Sequence, residues 1–135
     1  MLHLNVTSFP TLQTERLILR AHLIADANAL FALRTNEEVM RYIDRESPKN
    51  IQETETKIRQ VHEGFNNRTM LAWVIALKEN PGQMIGEIGF YRTDLANHRA
   101  EIGYMLLPAH WRKGFVSEAL NAIVAFGFNE MQLHS

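Results

Sequence analysis

The stretch Ala100–Glu118, AEIGYMLLPAHWRKGFVSE, determines how the rest of the chain is interpreted. Its apolar run Ile102–Leu107 predicts a strand that ends at Pro108, because proline cannot donate to a β-ladder. A glycine-containing loop follows, after which the apolar residues recur at helical spacing. Such a loop makes an anion site, since free N–H groups and the positive end of the helix dipole converge there. Two adjacent cations in the loop, Arg112 and Lys113, add charge and favour a phosphate-bearing cofactor.

The composition indicates an ordinary globular protein. A length of 135 residues, 46% of them apolar, suits a single domain with its own core. The net charge of −1 argues against binding to nucleic acid or to an acidic membrane. The absence of cysteine excludes disulfides, thiolate catalysis and cysteine-ligated zinc, and the six histidines show no metal-ligand spacing. With no signal peptide or apolar membrane span, we expect a cytoplasmic monomer or homodimer without a metal.

The rest of the chain alternates between helical and extended patterns. We expect one middle strand, Leu71–Leu77, to be covered on both faces because few polar residues interrupt it. Gly86 and Gly89 indicate a bulge or a close approach of the backbone, and the last helix is expected to run to about Met131. The predicted elements are a strand in Thr14–Arg20, a helix in Ala25–Arg34, a second helical segment opened by a capping box at Thr35–Glu38, a helix from Asn50 to about Phe65 ended by Gly64 and Asn66-Asn67, strands Leu71–Leu77 and Met84–Arg92, a polar loop Thr93–Arg99, and the elements of the opening stretch.

The order β-α-α-β-β-β-α predicts the fold class. Three consecutive strands with short connections imply an antiparallel meander, and the helices before and after them cover its faces. The sequence therefore predicts an α+β (mixed α/β) domain.

Three segments in the same order resemble one known family. TERLILR, AEIGYMLLPAHWRKGFVSEAL and AFGFNEMQLH resemble the GNAT superfamily of acyl-CoA-dependent N-acetyltransferases, and more narrowly its ribosomal-protein N-terminal acetyltransferase branch. IGEIGFYR is similar to the strand before the cofactor strand in that branch. The resemblance implies a GNAT-like, mostly antiparallel central sheet flanked by helices. In the family, residues like Leu133-His134 open a further strand, so we expect a single domain, 1–135, truncated after the start of its fifth strand.

The resemblance also implies where acetyl-CoA binds. Gly114 matches the most characteristic glycine of the family, whereas Arg112 stands where glycine is usual and Val116 where alanine or glycine is usual. The Cβ of Arg112 disfavours a positive φ, and its guanidinium alternatively offers a direct contact to phosphate. The implied cofactor-binding residues are Met105, Leu106 and Leu107, whose main chain would pair with the pantetheine arm, and Trp111, Arg112, Lys113, Gly114, Phe115 and Val116, which would hold the pyrophosphate.

The implied reaction needs a base for the amine. An α-amine, with a pKa of about 7.7–8.0, loses its proton more readily near neutral pH than a lysine at about 10.4. Glu101, on the cofactor strand, is the first choice as catalytic base, and Glu87, on the neighbouring strand, is the second. The alternatives are that Glu101 is solvated or paired with Arg99, and that Glu87 is structural.

The leading hypothesis is therefore acetyl transfer from acetyl-CoA to a primary amine, by preference a protein N-terminal α-amine. One alternative is a small-molecule amine such as a polyamine, an amino acid or an antibiotic. Another is a non-catalytic CoA-binding or interaction module, suggested by the unusual Arg112 and Val116. We expect the acceptor pocket to be shaped by Phe31–Glu53 and Thr93–Arg99.

Overall fold

A five-stranded antiparallel sheet forms the centre of the structure, a computed structural model that describes residues 8–41, 43, 46–94 and 99–131. The strands lie in the order β1-β2-β3-β4-β5, and each pairs with the next along the chain. The prediction of an α+β meander is confirmed. The strands are β1 (Leu12–Gln13), β2 (Leu17–Arg20), β3 (Leu71–Leu77), β4 (Gly86–Asp94) and β5 (Arg99–Leu106), and the helices are α1 (Ala27–Thr35), α2 (Glu37–Met40), α3 (Ile51–Asn66) and α4 (Phe115–Phe126).

The core lies on both faces of the sheet. β3 is buried along six of its seven residues, as its uninterrupted apolar run predicts. On one face Trp73 and Ile75 pack with Ile123 and Phe126 of α4, and on the other Val74 packs with residues of α1 and α3. The sheet is therefore a middle layer between α4 and the pair α1 and α3.

Close backbone approach explains the glycines of β4. A Cβ added at Gly89 would lie 2.6 Å from Cα of Ala72 on the neighbouring strand, so no larger residue fits. The register shift in the β4–β5 ladder lies at Phe90 and Arg92 instead of at a glycine. Of the two predicted readings, close approach is the correct one for Gly89.

Several predicted boundaries shift. Thr35 is the last residue of α1, its hydroxyl donating to the carbonyl of Phe31, and Asn36 caps α2 by accepting the N–H of Val39 at 3.1 Å. The capping box predicted at Thr35 is therefore wrong by one residue, because the amide of Asn36 occupies the extended position that a cap requires. The predicted start of α3 is confirmed, since Asn50 accepts the N–H of Glu53 at 2.9 Å.

The helix ends also differ from the prediction. Gly64 lies inside α3, where a Cβ would come within 2.8 Å of Met70, and Arg68 takes the left-handed conformation after the helix. α4 ends at Phe126 and continues as one π turn, Gly127–Met131. The predicted polar loop Thr93–Arg99 is shorter, because β4 reaches Asp94 and β5 begins at Arg99; 95–98 lie outside the described residues. β1 and the short 3₁₀ turns Ile24–Asp26 and Pro108–His110 were not predicted.

Candidate active site

The loop between β5 and α4 is folded tightly onto the end of the strand. The indole N–H of Trp111 donates to the carbonyl of Leu106 at 2.7 Å. Arg112 and Gly114 both have positive φ, at 61° and 81°. The left-handed conformation expected of a glycine is thus present at Arg112 despite its Cβ, at a cost of about 1–2 kcal/mol. The substitution of arginine for the usual glycine leaves the turn in place.

The start of α4 presents unpaired amides. Gly114 is the residue before the helix and supplies no side-chain cap, and the first helical bond runs from the N–H of Glu118 to the carbonyl of Gly114 at 3.0 Å. The N–H groups of the first turn, Phe115–Ser117, therefore have no helical acceptor, and the helix dipole makes this end positive. Exposed Arg112 and Lys113 precede it. The arrangement suits a phosphate-bearing ligand.

A cavity of about 600 Å³ opens at this helix start. It runs along the end of β5, and Val39 and Ile43 also contribute to its lining. Most of the predicted cofactor residues lie in its lining as the structure describes it, whereas Leu107 and Lys113 do not. Those in the lining are Met105, Leu106, Trp111, Arg112, Gly114, Phe115 and Val116.

β5 is the edge strand of the described sheet, and its backbone groups alternate in direction. The N–H of Leu107 donates inward to the carbonyl of Ile85 at 2.9 Å. Because antiparallel ladders alternate, Met105 also faces β4, while the backbones of Tyr104 and Leu106 face the open edge. A ligand that pairs with this edge therefore meets Tyr104, whose main chain was not among the predicted pairing residues, and the N–H of Leu106, because Trp111 already occupies the carbonyl of Leu106. It does not meet the N–H of Leu107.

A group of polar contacts, called the surface brace below, joins the loop and the start of α4 to Thr14 and Arg16, just before β2. The Nε–H of Arg16 donates to Oε1 of Glu118 and its backbone N–H to Oε2, both at 2.8 Å, and Nη1 donates to the carbonyl of Lys113 at 2.9 Å. The guanidinium lies 4.4 Å from the centre of the Phe115 ring, and the hydroxyl of Thr14 also donates to Glu118. Burial raises the pKa of Glu118, but the hydrogen bonds from Thr14 and Arg16 and the charge of Arg16 lower it overall.

A second polar cluster is buried on the neighbouring strand. Glu87 is 3% exposed, accepts a 2.5 Å hydrogen bond from Nη2 of Arg34, and lies 3.1 Å from Nε2 of His22. Burial raises the pKa of Glu87, but the hydrogen bond from His22 and the charge of Arg34 outweigh it and hold the pKa at about 2. A carboxylate so acidic is a weak base near neutral pH, so the geometry favours the structural alternative for Glu87.

A smaller chamber of about 140 Å³ adjoins the main cavity and shares three lining residues with it, Ile43, Tyr104 and Met105. Glu87 forms part of its wall. Gly103 lies beside the ring of Tyr91, which a Cβ there would approach to 3.1 Å. The chamber thus places the carboxylate of Glu87, already ion-paired with Arg34, beside aromatic and apolar walls.

Glu101 is exposed and lies outside the lining of both cavities. Since side chains alternate along a strand, it shares a face of β5 with Gly103 and Met105, which line the smaller chamber. The role of Glu101 as a base stays a prediction.

His110 lies in the wall of the main cavity. Its Nδ1 is buried and has no hydrogen-bond partner among the residues that the structure describes. Burial, and then the charge of Lys113, lower the pKa of His110, which favours the neutral form of the ring. Within the described ranges, no group of three or more His, Asp or Glu side chains is placed to hold a metal ion, and no helix has the length and apolar character needed to cross a membrane.

The comparisons with known proteins identify the family. The family model described as the acetyltransferase (GNAT) domain matches residues 16–135. The chain belongs to the GNAT acetyltransferase family. A curated relative, the uncharacterized N-acetyltransferase YoaA of Bacillus subtilis, is 38% identical over 125 residues, which are 93% of this chain and 70% of the relative. The resemblance predicted from the sequence is confirmed.

Solved structures show the same fold. A putative ribosomal-protein-serine acetyltransferase from Vibrio cholerae superposes with a TM-score of 0.81 at 21% identity, covering 95% of this chain and 72% of that one. RimL, a ribosomal L7/L12 α-N-protein acetyltransferase solved in complex with coenzyme A, superposes with a TM-score of 0.75 at 20% identity, covering 87% and 67%. The GNAT fold is therefore shared with proteins of the predicted branch.

Sequence reasoning missed the open edge at Tyr104 and the four polar partners around this GNAT site, Arg16, Glu118, His22 and Arg34. Arg16 and Glu118 are 102 positions apart in the chain and carry no shared motif that would pair them. His22 and Glu87 also share no motif, and His22 reaches Glu87 from the segment between β2 and α1. TERLILR was quoted for the resemblance, but nothing in its alternation assigns a role to its first arginine.

Proposed function

We propose that this GNAT domain transfers the acetyl group of acetyl-CoA to a primary amine, and that the preferred acceptor is the α-amine of a protein N-terminus. The observation that carries the proposal is the 600 Å³ cavity at the uncapped start of α4, lined by most of the predicted cofactor residues. We take residues 1–135 to belong to a single domain of this kind.

The residues present fit a CoA molecule. The amides of Phe115–Ser117, with Arg112 and Lys113, would hold the pyrophosphate, since they combine free donors with positive charge. The open backbone edge at Tyr104 and Leu106 would hold the pantetheine arm by strand-like pairing. Acetyl-CoA would supply an acetyl thioester, which is an acyl donor activated toward attack by an amine.

The acceptor amine would enter through the smaller chamber. Glu87 remains ionised there at neutral pH, but Arg34 and His22 already hold its two carboxylate oxygens, so we give it a part in shaping the chamber and none in removing the proton. Glu101, on the same face of β5, is the better candidate for the base that removes the proton directly or through water. An α-amine suits a carboxylate base, because less free energy is needed to deprotonate an α-amine than a lysine.

The choice of acceptor can be tested with matched substrates. CoA release would be measured over a panel containing a peptide with a free N-terminus, the same peptide with its N-terminus acetylated and a lysine side chain free, and a set of polyamines, amino acids and aminoglycosides. We expect turnover with the free N-terminus and little with the blocked peptide. Turnover only with the small amines would support the alternative acceptor, and calorimetric binding of CoA without any turnover would support the binding module.

The base assignment is tested by Glu101→Gln. We expect kcat/KM at neutral pH to fall about 100-fold, the lower end of what general-base catalysis contributes. Glu79→Gln, at an exposed carboxylate in the turn after β3, is the matched control and should leave the rate unchanged. An unchanged rate in Glu101→Gln would show that Glu101 is not the base.

A further inference from the structure

Arg16 is placed to fix the conformation of the loop without lying in the cavity. Its side chain is 44% exposed and contacts the loop and the first turn of α4 at three points: the carbonyl of Lys113, the carboxylate of Glu118 and the ring of Phe115. A Cβ at Gly114 would also lie 3.3 Å from Nη2 of Arg16. Arg16 itself is absent from the described lining of the cavity.

The hydrogen bond to Lys113 determines the direction of the next amide. In a planar trans peptide the C=O and the following N–H point in opposite directions. Because Nη1 of Arg16 holds the carbonyl of Lys113 at 2.9 Å, the N–H of Gly114 points away from Arg16. Gly114 lines the cavity that Arg16 does not reach, so this bond turns a donor toward the ligand side.

The loop needs such a support. It contains the left-handed Arg112 and two adjacent cations before the positive end of a helix, and both features disfavour this conformation in the free chain. Glu118 adds a negative charge in the first turn of α4, and Arg16 joins that charge to the loop carbonyl through one rigid guanidinium.

We propose that Arg16 is a positioning residue for the cofactor: it holds the loop before α4 in the binding conformation, so that its loss weakens CoA binding more than it weakens the fold. The inference rests on the proposed function. A lysine keeps the charge of Arg16 but cannot present the planar fork that reaches both Glu118 and Lys113. Arg16→Lys therefore separates positioning from charge alone.

The test uses the whole chain and a matched control nearby in the sequence, Arg20 at the end of β2. Arg20→Lys breaks a comparable fork, in which Arg20 donates to both carboxylate oxygens of Asp26 at 2.8 and 2.9 Å, away from the loop. Calorimetry would measure the affinity for CoA, and hydrogen exchange would follow the amides of Lys113–Ser117 in the ligand-free chain. For Arg16→Lys we expect CoA to bind about tenfold more weakly, as for the loss of a charge-assisted hydrogen bond. The loop amides should also exchange faster, while Arg20→Lys should change neither quantity.

The kinetic constants should also separate cofactor binding from catalysis. KM for acetyl-CoA should rise in Arg16→Lys by about the factor lost in CoA affinity, with kcat at saturation within about twofold of the original. If Arg16→Lys does not fold, Glu118→Gln carries the same test, because it weakens the hold on Arg16 with little change of shape. Equal CoA affinity in the original and in the folded variant overturns the positioning role alone. Failure of the original chain to bind CoA overturns the proposed function and, with it, this inference.

Discussion

Two ionic networks with similar chemistry lie on opposite sides of the candidate site, and they differ in burial. Glu87, His22 and Arg34 are almost fully buried, although Glu87 also borders the smaller chamber, whereas the side chain of Arg16 is 44% exposed and that of its partner Glu118 is 17% exposed. A buried ion that loses its partner retains the full cost of desolvation, while water replaces a lost partner at the surface. The buried cluster should therefore govern the stability of the whole domain, and the surface brace the local order of one loop.

The sharpest test of this contrast applies the same substitution to both networks. Glu87→Gln leaves Arg34 buried without a counter-charge, and should lower the free energy of unfolding by about 3–5 kcal/mol. Glu118→Gln makes the same chemical change in the brace and should cost about 1 kcal/mol or less. Urea denaturation of both variants measures the difference. Equal losses would show that burial does not separate the two networks.

The second test uses acid. The pKa of Glu87 is about 2 in the folded chain and 4.5 without the fold, so the unfolded chain binds more protons between these values. The stabilisation is therefore complete above about pH 4.5 and is lost as the pH falls toward 2. Between pH 6 and pH 3, the original chain should lose about 2 kcal/mol more stability than Glu87→Gln.

Comparing the two proteins isolates Glu87, because other carboxyls contribute equally to both. The pKa of Asp26 is also lowered: burial raises it, and the hydrogen bonds from Arg20 and Leu23 outweigh that effect. Urea titrations at the two pH values give the required free energies. If the two proteins lose the same stability, the low pKa of Glu87 is wrong.

The contrast also shows what could be predicted from the sequence. The strand, loop and helix of Ala100–Glu118 were predicted correctly because each signal is local: an apolar run, Pro108, Gly114 and a change of period. The open edge at Tyr104 was missed because it depends on the phase of the β4–β5 ladder, which one strand alone does not specify.

Both networks escaped prediction for a different reason. Each joins side chains from elements far apart in the chain, and a single charged residue carries no information on its partner. Glu87 looked like any carboxylate on a strand until His22 and Arg34 were placed around it. The left-handed conformation of Arg112 could not be predicted from the sequence either, since most residues at positive φ are glycine or asparagine.

Arg112 gives the last and smallest test, because two arginines of this chain share the same backbone strain. Arg112 in the loop and Arg68 after α3 both have φ of 61°. Arg112→Gly relieves that strain but gives the unfolded chain more freedom, so stability should rise by at most about 1 kcal/mol. If Arg112 contacts phosphate directly, the same variant should bind CoA about tenfold more weakly and with a smaller dependence on salt.

Arg68→Gly is the matched control for the effect of relieving the left-handed backbone strain. Arg68 donates to the carbonyl of Phe65, stacks on its ring and is absent from the described lining of both cavities, so its replacement should leave CoA binding unchanged. A drop in affinity confined to Arg112→Gly would therefore come from its guanidinium and not from a relaxed turn. Unchanged affinity there would instead show that the amides at the start of α4 bind the phosphates alone, with Arg16 as the arginine on which their arrangement depends.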